Sequence, residues 1–88
     1  MKAMIRIEKS EDGDWVTFAL SGRMQNEDLQ EIQTELGKHD QQNVVLDLQG
    51  VKLIDREAVR FLATFETHQA KITNCPPYIR EWIRREQG

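Results

Sequence analysis

Asp55, Arg56 and Glu57 stand together, just after an apolar run and just before an amphipathic one. That is where a helix begins. An aspartate there can accept a backbone N–H as a cap, and a glutamate in the first turn suits the positive end of the helix dipole. The same charges beside exposed N–H groups could receive an arginine or lysine from another protein. The two readings are compatible, because a cap can also be a contact surface. Asp47 and Asp55 are the other pair whose type suggests chemistry, since two carboxylates can share acid–base or metal work. No third acidic or histidine ligand follows at a recognised metal spacing. Asp47 interrupts the apolar run Val44-Val45-Leu46-Asp47-Leu48 and is expected to bond backbone near a strand end. A small enzyme using Asp47 and Asp55 is the alternative reading; no catalytic residue, metal or cofactor is assigned.

The remaining reactive types stand apart from one another. His39 follows a predicted helix and His68 lies near the end of another, so both are expected at the surface or at helix ends. Cys75 precedes a predicted helix, whose N-terminus can lower a thiol pKa. No base or second cysteine accompanies it, and a half-buried structural cysteine is expected. The glycines form no phosphate-binding pattern. Arg80, Arg84 and Arg85 alternate with Glu81 and Glu86, which reads as a solvated face with i,i+4 pairs. Tyr78 and Trp82 are expected to pack on a sheet, with an exposed aromatic patch as the alternative.

The elements that must position these groups fit one small domain spanning residues 1–88. A hydrophobic content of 39% supports a packed core. The net charge of -3, from 12 basic and 15 acidic residues, leaves no electrostatic footprint for nucleic acid or anionic membrane. Cys75 is the only cysteine, so no internal disulfide forms, which fits a reducing compartment. Charges interrupt the apolar residues of Met1–Glu8, and no stretch is long enough to span a bilayer. A cytoplasmic protein without direct membrane insertion is expected.

Met4–Glu8 and Trp15–Leu20 read as two strands around the polar turn cluster Ser10–Asp14, a β-hairpin. Ser21-Gly22-Arg23-Met24 breaks the pattern. Gln25 or Asn26 opens a helix whose apolar face is Leu29, Ile32 and Leu36, with Gly37 as its stop. Val44–Leu48 is apolar enough for a strand buried on both faces. Val51, Leu53 and Ile54 extend its apolar character. Ala58, Phe61, Leu62 and Phe65 then mark a second helix capped by Asp55. Lys71–Asn74 reads as a short strand, and Cys75-Pro76-Pro77 opens a final helix with Tyr78, Ile79, Trp82 and Ile83 as its apolar face. The order β-β-α-β-α-β-α implies an α/β fold: a mixed sheet with an N-terminal hairpin and helices packed on it. Its crossovers are expected to be right-handed.

That order, together with the segment Val44–Leu62, resembles the STAS domain family, which includes the bacterial anti-sigma factor antagonists. Asp47-Leu48 matches the family's strand end. Ile54-Asp55 matches the apolar–Asp pair that precedes its Ser–Ser/Thr–Gly–Leu helix start. Leu20-Ser21-Gly22 is similar to the glycine ending its second strand, and Asn74-Cys75-Pro76 to its last-strand exit. The resemblance implies a STAS-like protein-interaction module, not an enzyme. Its docking residues would be Ser21, Gly22, Arg23 and Met24 with Asp55, Arg56, Glu57, Ala58 and Val59. A typical partner would be an anti-sigma factor with serine-kinase character, or an ATPase subunit in a lipid-transport assembly. In the family's switchable members a Ser or Thr stands at the position of Glu57 and is phosphorylated. Arg56 replaces a small Ser and Ala58 replaces the usual Gly. Glutamate has no hydroxyl to accept phosphate, and its single charge imitates part of a phosphoserine. The phosphorylation switch is therefore expected to be absent, leaving docking at the Asp55-Arg56-Glu57-Ala58 helix start.

Overall fold

The computed structural model describes residues 5–39, 43–68 and 70–87. Among these residues the order is the expected β-β-α-β-α-β-α. β1 (Ile5–Asp12) and β2 (Trp15–Met24) pair antiparallel as a hairpin. Met4, expected to open β1, lies outside the described residues. The turn is tighter than Ser10–Asp14 suggested. Ser10, Glu11 and Asp12 continue β1, and only Gly13 and Asp14 reverse the chain. Gly13 takes φ 62, whereas Asp14 has no positive φ. Glycine first in a two-residue turn lets the turn follow the natural twist of the strands.

β3 (Asn43–Ile54) lies parallel to β2, and β4 (Ala70–Thr73) lies parallel to the first half of β3. The sheet order is β1-β2-β3-β4. Both parallel crossovers step the same way across the sheet. Right-handed crossovers that do so lay their helices on one face. α1 (Leu29–Gly37) and α2 (Arg56–His68) share a side, since Ile32 and Leu62 join one buried cluster with the same strand face, and α3 (Pro77–Gln87) packs on α2. One apolar cluster joins Phe18 and Leu20, Leu46 and Leu48, Ile32, Leu62, Ile79 and Ile83. Each such side chain taken fully from water contributes roughly 2 kcal/mol.

The strand Val44–Leu48 is buried on one face, not two. Val44, Leu46 and Leu48 point into the core, while Val45 and Asp47 are only half-buried. Their neighbours Thr17, Ala19 and Ser21 are also half-buried, and Glu8 and Lys71 are exposed. The reason is the topology: with α1 and α2 on one side, no helix of the described residues covers the other.

Ser21-Gly22-Arg23-Met24 is not a break but the end of β2. Its pairing with β3 shifts register between Ala19 and Ser21 and again between Gly22 and Arg23. Gly22 takes φ 90, which suits glycine. A Cβ on Gly50 would sit 2.5 Å from Ser21 Cβ and 3.2 Å from Ser21 Cα. Glycine at 50 is what lets the two strands come together at this bulge.

A 3-10 turn, Asn26–Asp28, leads into α1. The buried Asp28 carboxylate accepts the Gln25 N–H at 3.0 Å. Ile32 is buried, and Leu29 and Leu36 pack partly buried against the core, as their spacing requires. His39 lies at the end of α1, as expected, but it is not at the surface. The turn after α1 carries its ring to the edge of Phe18, with centroids 5.6 Å apart, and it is buried. Lys9 Nζ lies 3.4 Å from His39 Nε2. An ammonium only donates, so this nitrogen accepts. His68 ends α2, and its side chain lies outside the described part.

Candidate functional site

Asp55 lies between β3 and α2 and has both carboxylate oxygens occupied. Oδ1 accepts the Ala58 N–H at 3.0 Å, and its carbonyl accepts the Val59 N–H at 3.0 Å. This is the expected helix cap. Oδ2 does something the sequence did not announce: it accepts the Asn26 N–H at 2.9 Å. The Asp55 N–H in turn donates to the Met24 carbonyl at 3.3 Å. One residue therefore ties the end of β2, the 3-10 turn before α1 and the start of α2. Each segment alone carries cap-like residues, but only the parallel pairing of Met24 with Ile54 brings them together.

The expected docking residues separate by exposure. Arg23, Arg56 and Glu57 are exposed, and Ser21, Gly22 and Asp55 are half-buried. Met24, Ala58 and Val59 are fully buried. Their side chains support the platform from beneath and are not available to a partner, because the first turn of α2 and the end of β2 both face the core at these positions. Leu53 is the exposed apolar side chain at this corner. It pairs with Arg23 in the sheet and is 53% exposed. Its signal in the sequence was faint. Ile54, beside it, pairs with the buried Met24, so period-two alternation turns Leu53 away from the core. Arg56 Nε reaches Glu86 Oε2 at 3.7 Å, a loose and exposed pair. Glu57 makes no side-chain hydrogen bond or ion pair among the described residues.

Asp47 serves a different junction. Oδ1 accepts the Gln49 N–H at 2.9 Å, and Oδ2 accepts Asn74 Nδ2 at 3.2 Å. Asn74 has φ 53, a left-handed conformation that asparagine tolerates. Asp47 bonds backbone as expected, but it lies inside β3 and not at its end: β3 runs on to Ile54, and it is β4 that ends opposite Asp47, at Thr73. Asp47 and Asp55 have no hydrogen-bond partner in common. Among the described residues, no group of three or more His, Cys, Asp or Glu is placed to hold a metal. Cys75 is half-buried against the core. Burial pushes its thiol pKa up; nearby Arg80 opposes that rise and Glu66 adds to it. A raised pKa disfavours the thiolate.

α3 begins as its prolines suggested. The Pro76 carbonyl accepts the Ile79 and Arg80 N–H groups, and Pro77 is the first helical residue. Arg80 Nη1 donates to Glu66 Oε1 at 2.8 Å, and Gln87 Nε2 donates to the same oxygen at 3.2 Å. The Arg80 hydrogen bond and its charge hold the Glu66 carboxyl below its ordinary pKa, against a smaller rise from burial. Glu81 pairs with Arg84 at 3.6 Å and Arg85 at 3.7 Å, the solvated pairing expected of this helix. Tyr78 meets the sheet but stays exposed, which was the alternative. It is 52% exposed, and its hydroxyl donates to the Lys52 carbonyl at 3.0 Å. That bond ties the ring to the C-terminal part of β3. Trp82 is half-buried and packs against the core.

Among the described residues, no helix is long and apolar enough to cross a membrane. No protein-family model matches this chain, and no curated protein matches it.

Proposed function

We propose that this chain is a non-catalytic protein-interaction module that receives its partner where β2 ends and α2 begins. The observation that carries this reading is the double engagement of Asp55 with Ala58 and Asn26. It fixes two helix starts and a strand end as one platform. A surface that is already ordered loses less entropy on binding. Arg23, Arg56 and Glu57 present charge from that platform, and Leu53 presents an apolar side chain. The resemblance to STAS anti-sigma factor antagonists supports the same site. On that reading the protein acts in the cytoplasm on an anti-sigma factor of the serine-kinase type. A lipid-transport ATPase subunit is the alternative partner. Glu57 stands where the phosphoacceptor would be, so docking is not switched by phosphate at this position.

The test is a pull-down from the native host, with captured proteins identified by mass spectrometry. Glu57→Lys and Arg56→Glu are compared with the wild type and with Lys71→Glu, which changes the uncovered sheet face. The two platform variants are expected to lose a partner that Lys71→Glu retains. Equal recovery by all four forms would remove this surface from the interface. The identity of the captured protein decides between a kinase and an ATPase.

A further inference from the structure

β1 stands at one end of the sheet, and among the described residues no strand pairs with its outer side. Its ladder with β2 runs from Ile5–Gly22 to Asp12–Trp15 without a register shift. The two-residue turn makes Asp12 and Trp15 a hydrogen-bonded pair, and such pairs recur at every second residue. Ser10, Glu8 and Arg6 therefore bond β2. The N–H and C=O groups of Glu11, Lys9, Ile7 and Ile5 point outward, away from the sheet. The Asp14 carbonyl accepts the Asn43 N–H at 3.0 Å, which fits the same alternation one strand further in.

Sheet edges are usually guarded by shortness, proline, a bulge or a lysine standing across them. β4, the opposite edge, has four residues and is guarded by shortness. β1 has eight residues, no proline and no bulge. Its one lysine, Lys9, has Nζ 3.4 Å from His39 Nε2 and 3.5 Å from Glu11 Oε2. The ammonium is thus held by its own chain.

We propose that this edge pairs with the same edge of a second copy of the chain, antiparallel, about a two-fold axis at Ile7. The side chains select that register. An axis normal to the sheet keeps the two open faces on one side, and each residue meets its own symmetry mate or that of a neighbour two or four positions away. Centred on Ile7, the pairing sets Ile7 on Ile7, Ile5 on Lys9 and Arg6 on Glu8 of the second copy. Ile5, Ile7 and Lys9 are the residues whose backbone groups point outward, so each of these pairs can exchange two hydrogen bonds. On the open face Arg6 and Glu8 form an ion pair at 3.0 Å within one chain, with side chains 75% and 63% exposed. Two such pairs brought together head to tail make a ring of alternating sign, and neither existing pair has to break. Moving the axis to Arg6, Glu8 or Lys9 opposes like charges at its centre, and moving it to Ser10 sets Glu8 against Asp12. Few residues meet, so the dimer is a weak one that forms at high concentration. It does not depend on the reading of the Asp55 platform.

Sedimentation equilibrium of the full chain between about 10 μM and about 1 mM measures the self-association. A monomer–dimer equilibrium is expected. Arg6→Glu alone and Glu8→Arg alone are each expected to weaken it about tenfold, because like charges then face each other across the axis. The two single variants mixed in equal amounts are expected to return to wild-type strength, as is the double variant Arg6→Glu/Glu8→Arg. Ile7→Pro removes an outward donor, leaves the bonds to β2 in place and is expected to abolish the dimer. Circular dichroism melts show whether each variant is folded; should Ile7→Pro not fold, the charge swap decides alone. A wild-type chain that stays monomeric over the whole range overturns the proposal. So does a dimer that the charge swap fails to restore, or one that a folded Ile7→Pro leaves intact.

Discussion

The Asp55 carboxylate and the Asn26 backbone N–H meet at 2.9 Å across 29 residues of chain. That bond joins the start of one helix to the turn that opens another. A cap usually serves its own helix; here the second oxygen serves a neighbour. The consequence is that the stability of this corner and the relative placement of its two helix starts depend on the same side chain.

Replacing Asp55 separates its two tasks. Asp55→Ala removes both acceptors and is expected to cost about 2 kcal/mol. Asp55→Asn keeps one oxygen for the Ala58 N–H but sets an amide group against the Asn26 N–H, so its cost is expected to be smaller. Urea unfolding followed by circular dichroism checks the order. Equal stability of the alanine variant and the wild type would mean that neither bond matters.

Gly50 and Ser21 form a steric lock. Gly50→Ala would place its Cβ against Ser21 Cβ, an atom fixed to the backbone. A cost of about 1–3 kcal/mol is expected. Ser21→Gly in the same chain removes the obstacle, and the double variant is expected to recover more than half of the loss. A double-mutant cycle reads this coupling directly.

The Glu66–Arg80 pair sets an acid limb. The Glu66 pKa is lower in the folded chain than in the unfolded one. Its contribution is therefore complete above the unfolded value, near 4.5, and is lost as pH falls through the folded value. Glu66→Gln is expected to flatten this part of the stability profile. At neutral pH it is expected to cost about 1 kcal/mol. Melting temperatures between pH 3 and pH 7 provide the measurement, on the order of one kcal/mol being resolvable. Parallel profiles for the two proteins would show that Glu66 gains nothing from Arg80.

Cys75 is expected to be a slow thiol. Burial raises its pKa, so alkylation by iodoacetamide at neutral pH should run well below the rate of an unfolded control. Denaturant should restore the rate. A native rate above that of the unfolded chain would point to an activated thiolate.

The helices were legible because their apolar residues recur at three and four positions. Leu29, Ile32 and Leu36 marked α1 in this way, and Asp55 announced α2 by its position. What the sequence left hidden depends on neighbours far along the chain. Ser21–Met24 looked like a break because a register shift belongs to two strands, and one strand's residues do not reveal it. Val45 suggested two buried faces, but which face is covered follows from the direction of both crossovers. Met24, Ala58 and Val59 were placed in the right segments yet on the wrong side of them. His39 and Tyr78 were legible in position but not in surroundings, which are set by Phe18 and by the Lys52 carbonyl.

The Gly13-Asp14 turn also bears on how quickly the molecule can form. β1 and β2 are joined by two residues, so their pairing closes over the shortest possible loop. The β2–β3 and β3–β4 pairings must each wait for a helix-length segment to close. Hairpins form in about 1–10 μs, whereas contacts distant in sequence are what slow folding. The hairpin is therefore expected to pair first, and the capture of β3 to set the folding time. A φ-value near one for Leu46→Ala and near zero for Ile72→Val would express that order in kinetics.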